Sequence, residues 1–174
     1  MEVSDFQNTS VAFVIKSNRE LKWAYQMYRL LSYTWLVTLS NSIMMFFSRL
    51  GFPINWIVKP TVYKQFVGGE VISECVPVIE RLNEGKVKSI LDYSVEGKEE
   101  DEDIEKAHEE TLRVVEFAGN HPAIPFAVFK PTAFIRSSSL EILSEEKGDI
   151  PGEVKRDGEK FVERVDKICA LASG

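Results

Sequence analysis

Ser-Ile-Leu-Asp-Tyr at residues 89–93 and Phe-Ala-Val-Phe-Lys at residues 126–130 are the stretches that decide the fold class. Both are short apolar runs that end at an ionisable residue, Asp92 in one and Lys130 in the other. Nearly continuous apolar runs are typical of strands covered on both faces, as in parallel sheets. Residues 104–118, between them, have the apolar periodicity of a helix, which is the connection that parallel strands require. We therefore expect a parallel β-α-β unit.

The sequence on either side of this unit extends the pattern. Ser17 and Glu20 have the spacing of a capping box, which predicts a helix that begins near Asn18. Residues 62–67, followed by Gly68-Gly-Glu70, are interpreted as an earlier strand and its end. Further helices are predicted over residues 35–49, from Pro53 to residue 57, and over residues 71–83, 139–145 and 151–172.

Strands that alternate with helices indicate parallel pairing and right-handed crossovers. The sequence therefore predicts an α/β protein in which N-terminal helices, residues 1–60, precede the first three β/α units of an incomplete TIM-like (β/α)8 barrel, residues 61–174. A complete barrel of this type needs eight strands and about 250 residues. We therefore expect a truncated barrel.

The overall composition limits the kind of partner. Hydrophobic residues make up 44% of the 174 residues, as in a folded domain, and the formal net charge is −6. Binding nucleic acid needs an excess of Lys and Arg, so no nucleic-acid partner is expected. Residues 35–50 are the most apolar stretch, but polar residues interrupt it, and a packed helix is expected. We expect free thiols and no metal site, because disulfide or ligand spacing is absent among Cys75, Cys169, His108 and His121.

The ends of the predicted strands are the candidate site, because β/α barrels carry their chemistry at the carboxyl ends of the strands. Asp92 and Lys130 follow apolar runs directly, where an unpaired charge is costly. One interpretation is an ion pair between neighbouring strands without catalysis, and another is a small anionic ligand held by Lys130. Gly68-Gly69 lacks a dinucleotide fingerprint and favours a tight turn. The carboxylates of residues 99–110 are interpreted as a solvated helix face.

These strand ends resemble the first three barrel strands of the flavin-dependent proline dehydrogenases. The resemblance rests on Phe66-Val-Gly-Gly-Glu70, on Ser89-Ile-Leu-Asp-Tyr-Ser-Val-Glu96 and on Phe126-Ala-Val-Phe-Lys-Pro-Thr132, in that order. The preceding helices, including Phe6-Gln-Asn-Thr9 and Trp56-Ile-Val-Lys-Pro60, resemble the N-terminal helices of single-domain members. The family implies a distorted barrel that holds FAD non-covalently and oxidises L-proline to Δ1-pyrroline-5-carboxylate by hydride transfer to the flavin. Electrons then pass to a membrane quinone.

The resemblance also implies a role for three residues. Lys130 matches the lysine beside the substrate carboxylate and the flavin, so it is both a catalytic and a cofactor-binding candidate. Glu96 matches the glutamate that closes the site over substrate by pairing with a distal arginine. Asp92 matches the aspartate that ends the second strand and supports the pocket.

The same resemblance sets the expectations for activity and location. Most of the family's FAD contacts come from later strands, so we expect the 174-residue chain to be inactive alone. A cytoplasmic protein is expected, with peripheral contact at the inner face of the membrane as a variant of that location. Two alternatives stay open: another α/β-barrel enzyme, such as a lyase that uses Lys130 as a Schiff base, and a non-catalytic barrel fragment that serves as a binding scaffold.

Overall fold

The computed structural model describes residues 8–53, 58–93, 95, 97–145 and 150–173, with Val62 described by its backbone alone. The predicted short helix after Pro53 and the candidate residue Glu96 lie largely or wholly outside these residues. The chain divides into two units, Met1–Arg81 and Leu82–Gly174.

The regular elements of the first unit, among its described residues, are all helical. The capping box is confirmed: the Ser17 side chain accepts from the backbone N–H of Glu20 at 3.3 Å, and Glu20 accepts from the backbone N–H of Ser17 at 2.7 Å. The elements are α1 (Thr9–Ala12), α2 (Asn18–Leu31), α3 (Thr34–Arg49), a π-helical turn (Lys59–Tyr63), α4 (Lys64–Phe66) and α5 (Ile72–Glu84), whose last residues belong to the second unit.

The predicted first strand over residues 62–67 is wrong, because this stretch is helical. The backbone N–H of Val67 donates to the carbonyl of Tyr63 at 2.8 Å, which is a helical and not a ladder hydrogen bond. Pro60 lies at the start of the turn, where its missing N–H costs no hydrogen bond. The Val, Tyr and Phe content that suggested a strand is a weak indicator, because β-propensity depends on packing context.

The second unit contains the predicted β-α-β arrangement. Strands β1 (Ile90–Leu91) and β2 (Phe126–Ala127) pair in parallel, with Ile90 opposite Phe126 and Leu91 opposite Ala127. The α/β class and the parallel pairing are thus confirmed, but the sheet of the described residues has two short strands, and a barrel fragment is not confirmed. The other elements are α6 (Asp101–Gly119), a 3₁₀ turn (Pro131–Ala133), α7 (Ser137–Glu145) and α8 (Gly152–Ala172).

The core of the second unit lies between α6, α8 and the segment that follows β2. Phe134 and Ile135 are 0% and 1% exposed, and Phe134 packs with Ala107 and Val115 of α6 and Ile168 of α8. Burying a side chain of this size stabilises the fold by about 2–3 kcal/mol. The chain just beyond β2 is therefore firmly fixed, which matters for the charged residues beside it.

The apolar helix α3 is not buried, contrary to the expectation from its composition. None of its residues is buried, and Trp35 and Phe46 are 65% and 60% exposed. No single helix of the described residues is long and apolar enough to cross a membrane. Only α2 and α3 taken together, with a bend of 90° between them, meet the criteria of length and composition.

Candidate active site

The candidate site lies where β1 and β2 end. Asp92 follows β1 directly, and Lys130 comes three residues after β2. Because the strands run in parallel, both residues leave the sheet at the same edge. The sequence-based prediction that Asp92 and Lys130 lie at one end of the sheet is confirmed.

Asp92 and Lys130 form an ion pair. Lys130 Nζ lies 3.1 Å from Asp92 Oδ2, and the two side chains are 34% and 39% exposed. Ion pairs this exposed contribute at most about 1 kcal/mol to stability, because water competes for both charges. The pair therefore does little to hold the fold together, and its charges stay accessible to a polar ligand.

The backbone around Lys130 is fixed on both sides. Phe129, just before it, packs against Phe134 with ring centroids 5.4 Å apart. Lys130 itself is extended, as expected for a residue before proline, and its carbonyl accepts from the N–H of Ala133 at 2.9 Å. This anchoring limits where the ammonium group can go, as a binding site requires.

The loop that follows β1 turns at a glycine. Gly97 has φ = +63°, a left-handed conformation that a residue with a Cβ adopts only with strain. Val95 packs against the core from this loop, and Tyr93 is 39% exposed beside Asp92. Glu96, the third predicted site residue, is outside the described part of the chain.

Gly68, Gly69 and Glu70, the end of the wrongly predicted strand, form a tight turn before α5. A Cβ on Gly69 would lie 2.7 Å from the Cβ of Glu74, so the chain's own packing requires a glycine there. Glu70 pairs with Lys59 at 2.7 Å, and both side chains are about half exposed. The turn interpretation of the glycines holds, whereas the strand end does not exist.

Sequence reasoning missed a charged network centred on Arg136. Its Nη1 donates to both carboxylate oxygens of Asp157, at 2.9 and 3.1 Å, and its Nη2 donates to Asp101 Oδ1 at 2.6 Å. Its Nε donates to the carbonyl of Glu99 at 3.0 Å. Asp157 is 8% exposed and also accepts from Ser139 Oγ at 2.6 Å. No local spacing signals these pairs, because the partners are 21 to 37 residues from Arg136.

The acidic start of α6 is only partly a solvated face. Asp101 does lie in the first helical turn, as predicted. A hydrogen bond from Lys160 and the nearby Arg136 hold the pKa of Asp101 below its usual value. Hydrogen bonds from Arg164, the shorter of 2.9 Å, likewise hold the pKa of Glu105 below its usual value. These two carboxylates thus join α6 to α8.

Two further features of the second unit lie apart from the strand ends. His108 is 2% exposed, meets Phe134 edge to face, and has Nδ1 3.6 Å from Glu105. Among the described residues no cluster of His, Cys, Asp or Glu could hold a metal ion. A charged groove of about 450 Å³ is lined by neither Asp92 nor Lys130, but by Asp101, Glu102, Glu105, Lys160, Glu163, Arg164 and Lys167.

Comparison with known proteins gives matches that include three proteins of the same name. The chain is 34% identical over 146 residues to "Proline dehydrogenase 1, mitochondrial" of Caenorhabditis elegans, which covers 83% of this chain and 23% of that protein. It is 29% identical over 137 residues to the protein of that name in Dictyostelium discoideum, covering 77% of this chain and 24% of that protein. With the Drosophila melanogaster protein it shares 38% identity over 109 residues, 61% of this chain and 16% of that protein.

The chain thus spans about a quarter or less of the length of these relatives. No protein-family model matches it, and no solved structure matches it significantly.

Proposed function

This chain is related to the proline dehydrogenases, and we propose that it serves the oxidation of L-proline to Δ1-pyrroline-5-carboxylate in proline catabolism, with Lys130 and Asp92 in the active site. The observation that carries this proposal is the accessible Lys130–Asp92 pair at the carboxyl edge of two parallel strands. That edge is where α/β enzymes place their catalytic side chains. The function is thus that of an oxidoreductase.

In the proposed reaction the ring CH₂ carbon next to the nitrogen of proline, on the side away from the carboxylate, loses a hydride. The nitrogen loses a proton, so that a C=N bond forms. FAD, when bound, supplies the hydride acceptor. Lys130 pairs with the carboxylate of L-proline, since its ammonium is a compact cation with three donors. Asp92, 3.1 Å from Lys130 Nζ, orients that ammonium. Glu96 is proposed to close the site over the substrate, as the family resemblance implies.

The described residues fit one part of FAD and not the rest. Lys130 offers a fixed cation beside which an electron-rich flavin is favoured. A diphosphate needs a cradle of free backbone N–H groups, and glycines often open such a cradle. The space beside Gly69 is instead filled by Glu74, and Glu70 N–H already donates to Glu74 Oε2 at 2.8 Å. We therefore assign to the flavin only Lys130 among the described residues, and propose that the other contacts come from outside them.

The test replaces the matching region of the Caenorhabditis elegans relative with this chain and measures flavin content and proline-dependent dye reduction. We expect the chimera to bind flavin and oxidise L-proline, and the 174-residue chain alone to retain no stoichiometric flavin. Lys130→Ala in the chimera removes a hydrogen bond to a charged group, worth about 1.5–3 kcal/mol, so kcat/KM should fall about ten- to a hundredfold. Glu96→Ala should lower it less.

Lys155→Ala is the matched control, because Lys155 is an exposed lysine of α8. An unchanged kcat/KM for Lys130→Ala in a chimera that keeps its flavin would refute the site assignment. Borohydride trapping of a carbonyl substrate on Lys130 would instead favour the lyase alternative. A chimera that folds and binds flavin but leaves proline untouched would refute the proposed function.

We further propose that the electrons pass to a membrane quinone and that the protein contacts the membrane peripherally. The exposed apolar residues Trp35 and Phe46 of α3 and Leu50 at its end support this proposal. Sedimentation of the chain with phospholipid vesicles measures it, and Phe46→Ser with Leu50→Ser should reduce the bound fraction. Equal binding of the unchanged chain and the double variant to the vesicles would contradict the proposed membrane contact. The names of the relatives place those proteins in mitochondria, and the location of this chain stays a prediction.

A further inference from the structure

We infer that Glu99 is a positioning residue for the Lys130–Asp92 site. It holds together the far ends of two loops, the first after β1 (residues 92–100) and the second after β2 (residues 128–136). The inference rests on the proposed function, because only there does the geometry of this pair matter for catalysis. Glu99 is exposed, and within the described part of the chain its hydrogen bonds go to Arg136, Ser137 and Ser138 and not to Asp92 or Lys130. Its effect on the pair is indirect.

Glu99 contacts the end of the second loop through its backbone and the start of α7 through its side chain. Its carbonyl accepts from Arg136 Nε at 3.0 Å. Its carboxylate accepts from the backbone N–H of Ser137 at 3.2 Å and from Ser138 Oγ at 3.2 Å. Ser137 is the first residue of α7, so the carboxylate binds an N–H that the helix leaves unpaired, at the end where negative charge is favoured.

These contacts close a frame around the site. At one end the loops are joined by the pairing of Leu91 with Ala127, and in the middle by Asp92 and Lys130. At the other end they are joined by Glu99 and the segment 136–138. The second loop is rigid, because Phe134 and Ile135 within it are buried. The first loop contains a glycine with positive φ, Gly97, and is attached on either side of it, by Val95 against the core and by the contacts of Glu99.

The difference in rigidity between the two loops predicts what the loss of Glu99 does to the ion pair. If the Glu99 side chain loses its contacts with Ser137 and Ser138, the first loop becomes more mobile. Asp92 then shifts relative to Lys130, which stays in place. The hydrogen bonds of Glu99 lie outside the core between α6 and α8, so the core should be unaffected. Glu99 is thus expected to set the geometry of the ion pair and not the stability of the core.

The experiment is competitive acetylation of the 174-residue chain, with the rate at each lysine read by mass spectrometry. Glu99→Ala should raise the rate at Lys130 about two- to tenfold, the factor that corresponds to one lost hydrogen bond. Glu99→Gln keeps one acceptor oxygen and should restore part of the protection. Rates at the exposed Lys155 should stay the same, as should the urea midpoint measured by circular dichroism.

Glu141→Ala is the matched control, because Glu141 is an exposed carboxylate on the same helix, α7. An unchanged rate at Lys130 in Glu99→Ala would overturn the inference, and so would an equal rise at Lys155, which would indicate general loosening. Ser138→Ala removes a single donor and gives a milder test should Glu99→Ala fail to fold. The labelling needs no turnover, so this response in the 174-residue chain, together with a flavin-binding chimera that does not oxidise L-proline, would refute the proposed function alone.

Discussion

The two units use apolar residues in opposite ways. Of the buried apolar residues that the structure describes, Ile79 alone belongs to the first unit, and twelve belong to the second. Yet the first unit contains the most apolar helix, α3, whose large side chains are exposed. Four of the buried residues of the second unit are alanines, which let helices and loops approach closely. A core thus forms where apolar surfaces of matching shape pack against each other, and apolar content alone does not create one.

The contrast between the two units predicts that the largest difference in unfolding free energy will come from substituting one phenylalanine in each unit. Phe134→Ala in the second unit should cost about 3–5 kcal/mol of unfolding free energy, since it leaves a cavity in a packed core. Phe46→Ala in α3, where the ring is 60% exposed, should cost less than about 0.5 kcal/mol. Urea unfolding followed by far-ultraviolet circular dichroism measures both. All three tryptophans precede residue 82, so their fluorescence reports separately on the first unit.

Equal costs for the two substitutions would show that α3 is also packed and would remove the contrast between the units. A cost below about 1 kcal/mol for Phe134→Ala would contradict the assignment of the core.

The next effect compares two arginines that each bind carboxylates. Arg136→Ala leaves Asp157 buried with the Ser139 hydroxyl as its remaining partner, and we expect a loss of about 2–3 kcal/mol. Arg81 of the first unit pairs with Glu20 at 2.6 Å, but both side chains are more than 40% exposed. Arg81→Ala should therefore cost at most about 1 kcal/mol. Urea midpoints of the two variants give the difference.

A second substitution identifies the cause. Asp157→Asn in the Arg136→Ala background removes the unpaired buried charge and should recover part of the loss. No recovery would mean that Arg136 stabilises the unit by packing and not by neutralising Asp157.

The smallest expected effect is the loss of stability of each unit at acidic pH. Hydrogen bonds from Arg164 lower the pKa of Glu105 in the second unit, and hydrogen bonds from Arg81 and Ser17 hold the pKa of Glu20 in the first well below its usual range. An unfolded glutamate titrates near pH 4.3, so each carboxylate stabilises its unit above that pH. The stabilisation is lost as the pH falls through the lower, folded pKa. Both groups are substantially exposed, so each effect should stay below about 1 kcal/mol.

Urea midpoints of the wild type between about pH 6 and pH 3 measure this dependence, with Glu105→Gln for the second unit and Glu20→Gln for the first. Each variant should show a flatter pH dependence for its own unit. Greater stability in acid than at neutral pH would contradict the sign.

Local signals in the sequence predicted local structure well. The Ser17–Glu20 capping box was predicted correctly, because its two residues lie three positions apart. The acidic first turn of α6 was also predicted correctly, because negative charge is favoured at the start of a helix. Asp92 and Lys130 were placed together despite their separation, because parallel pairing brings strand ends to one edge. The strand over residues 62–67 failed, because β-branched and aromatic residues also occur in helices and the sequence does not show which partner is available.

The charged network around Arg136 was beyond prediction for a different reason. Arg136 precedes a run of serines that resembles a polar connection, and its partners come from α6, α8 and the loop after β1. Such pairs depend on how the helices pack, which a single sequence does not specify. The three-stranded barrel segment was inferred from the same alternation that gave the β-α-β unit, and the described residues support the latter only.

The shortness of the two strands has a consequence for how the site acquires its geometry. Ile90 and Phe126 are 36 residues apart, and closing a loop of that length costs about 3 kcal/mol of chain entropy. A ladder of two residue pairs returns no more than that, at about 1 kcal/mol for each hydrogen bond. The sheet alone is therefore near balance between order and disorder. Helix α6, which lies within that loop and packs against α8, lowers the entropy of closure by ordering most of the intervening chain. The strand edge that carries Asp92 and Lys130 is thus a product of helix docking.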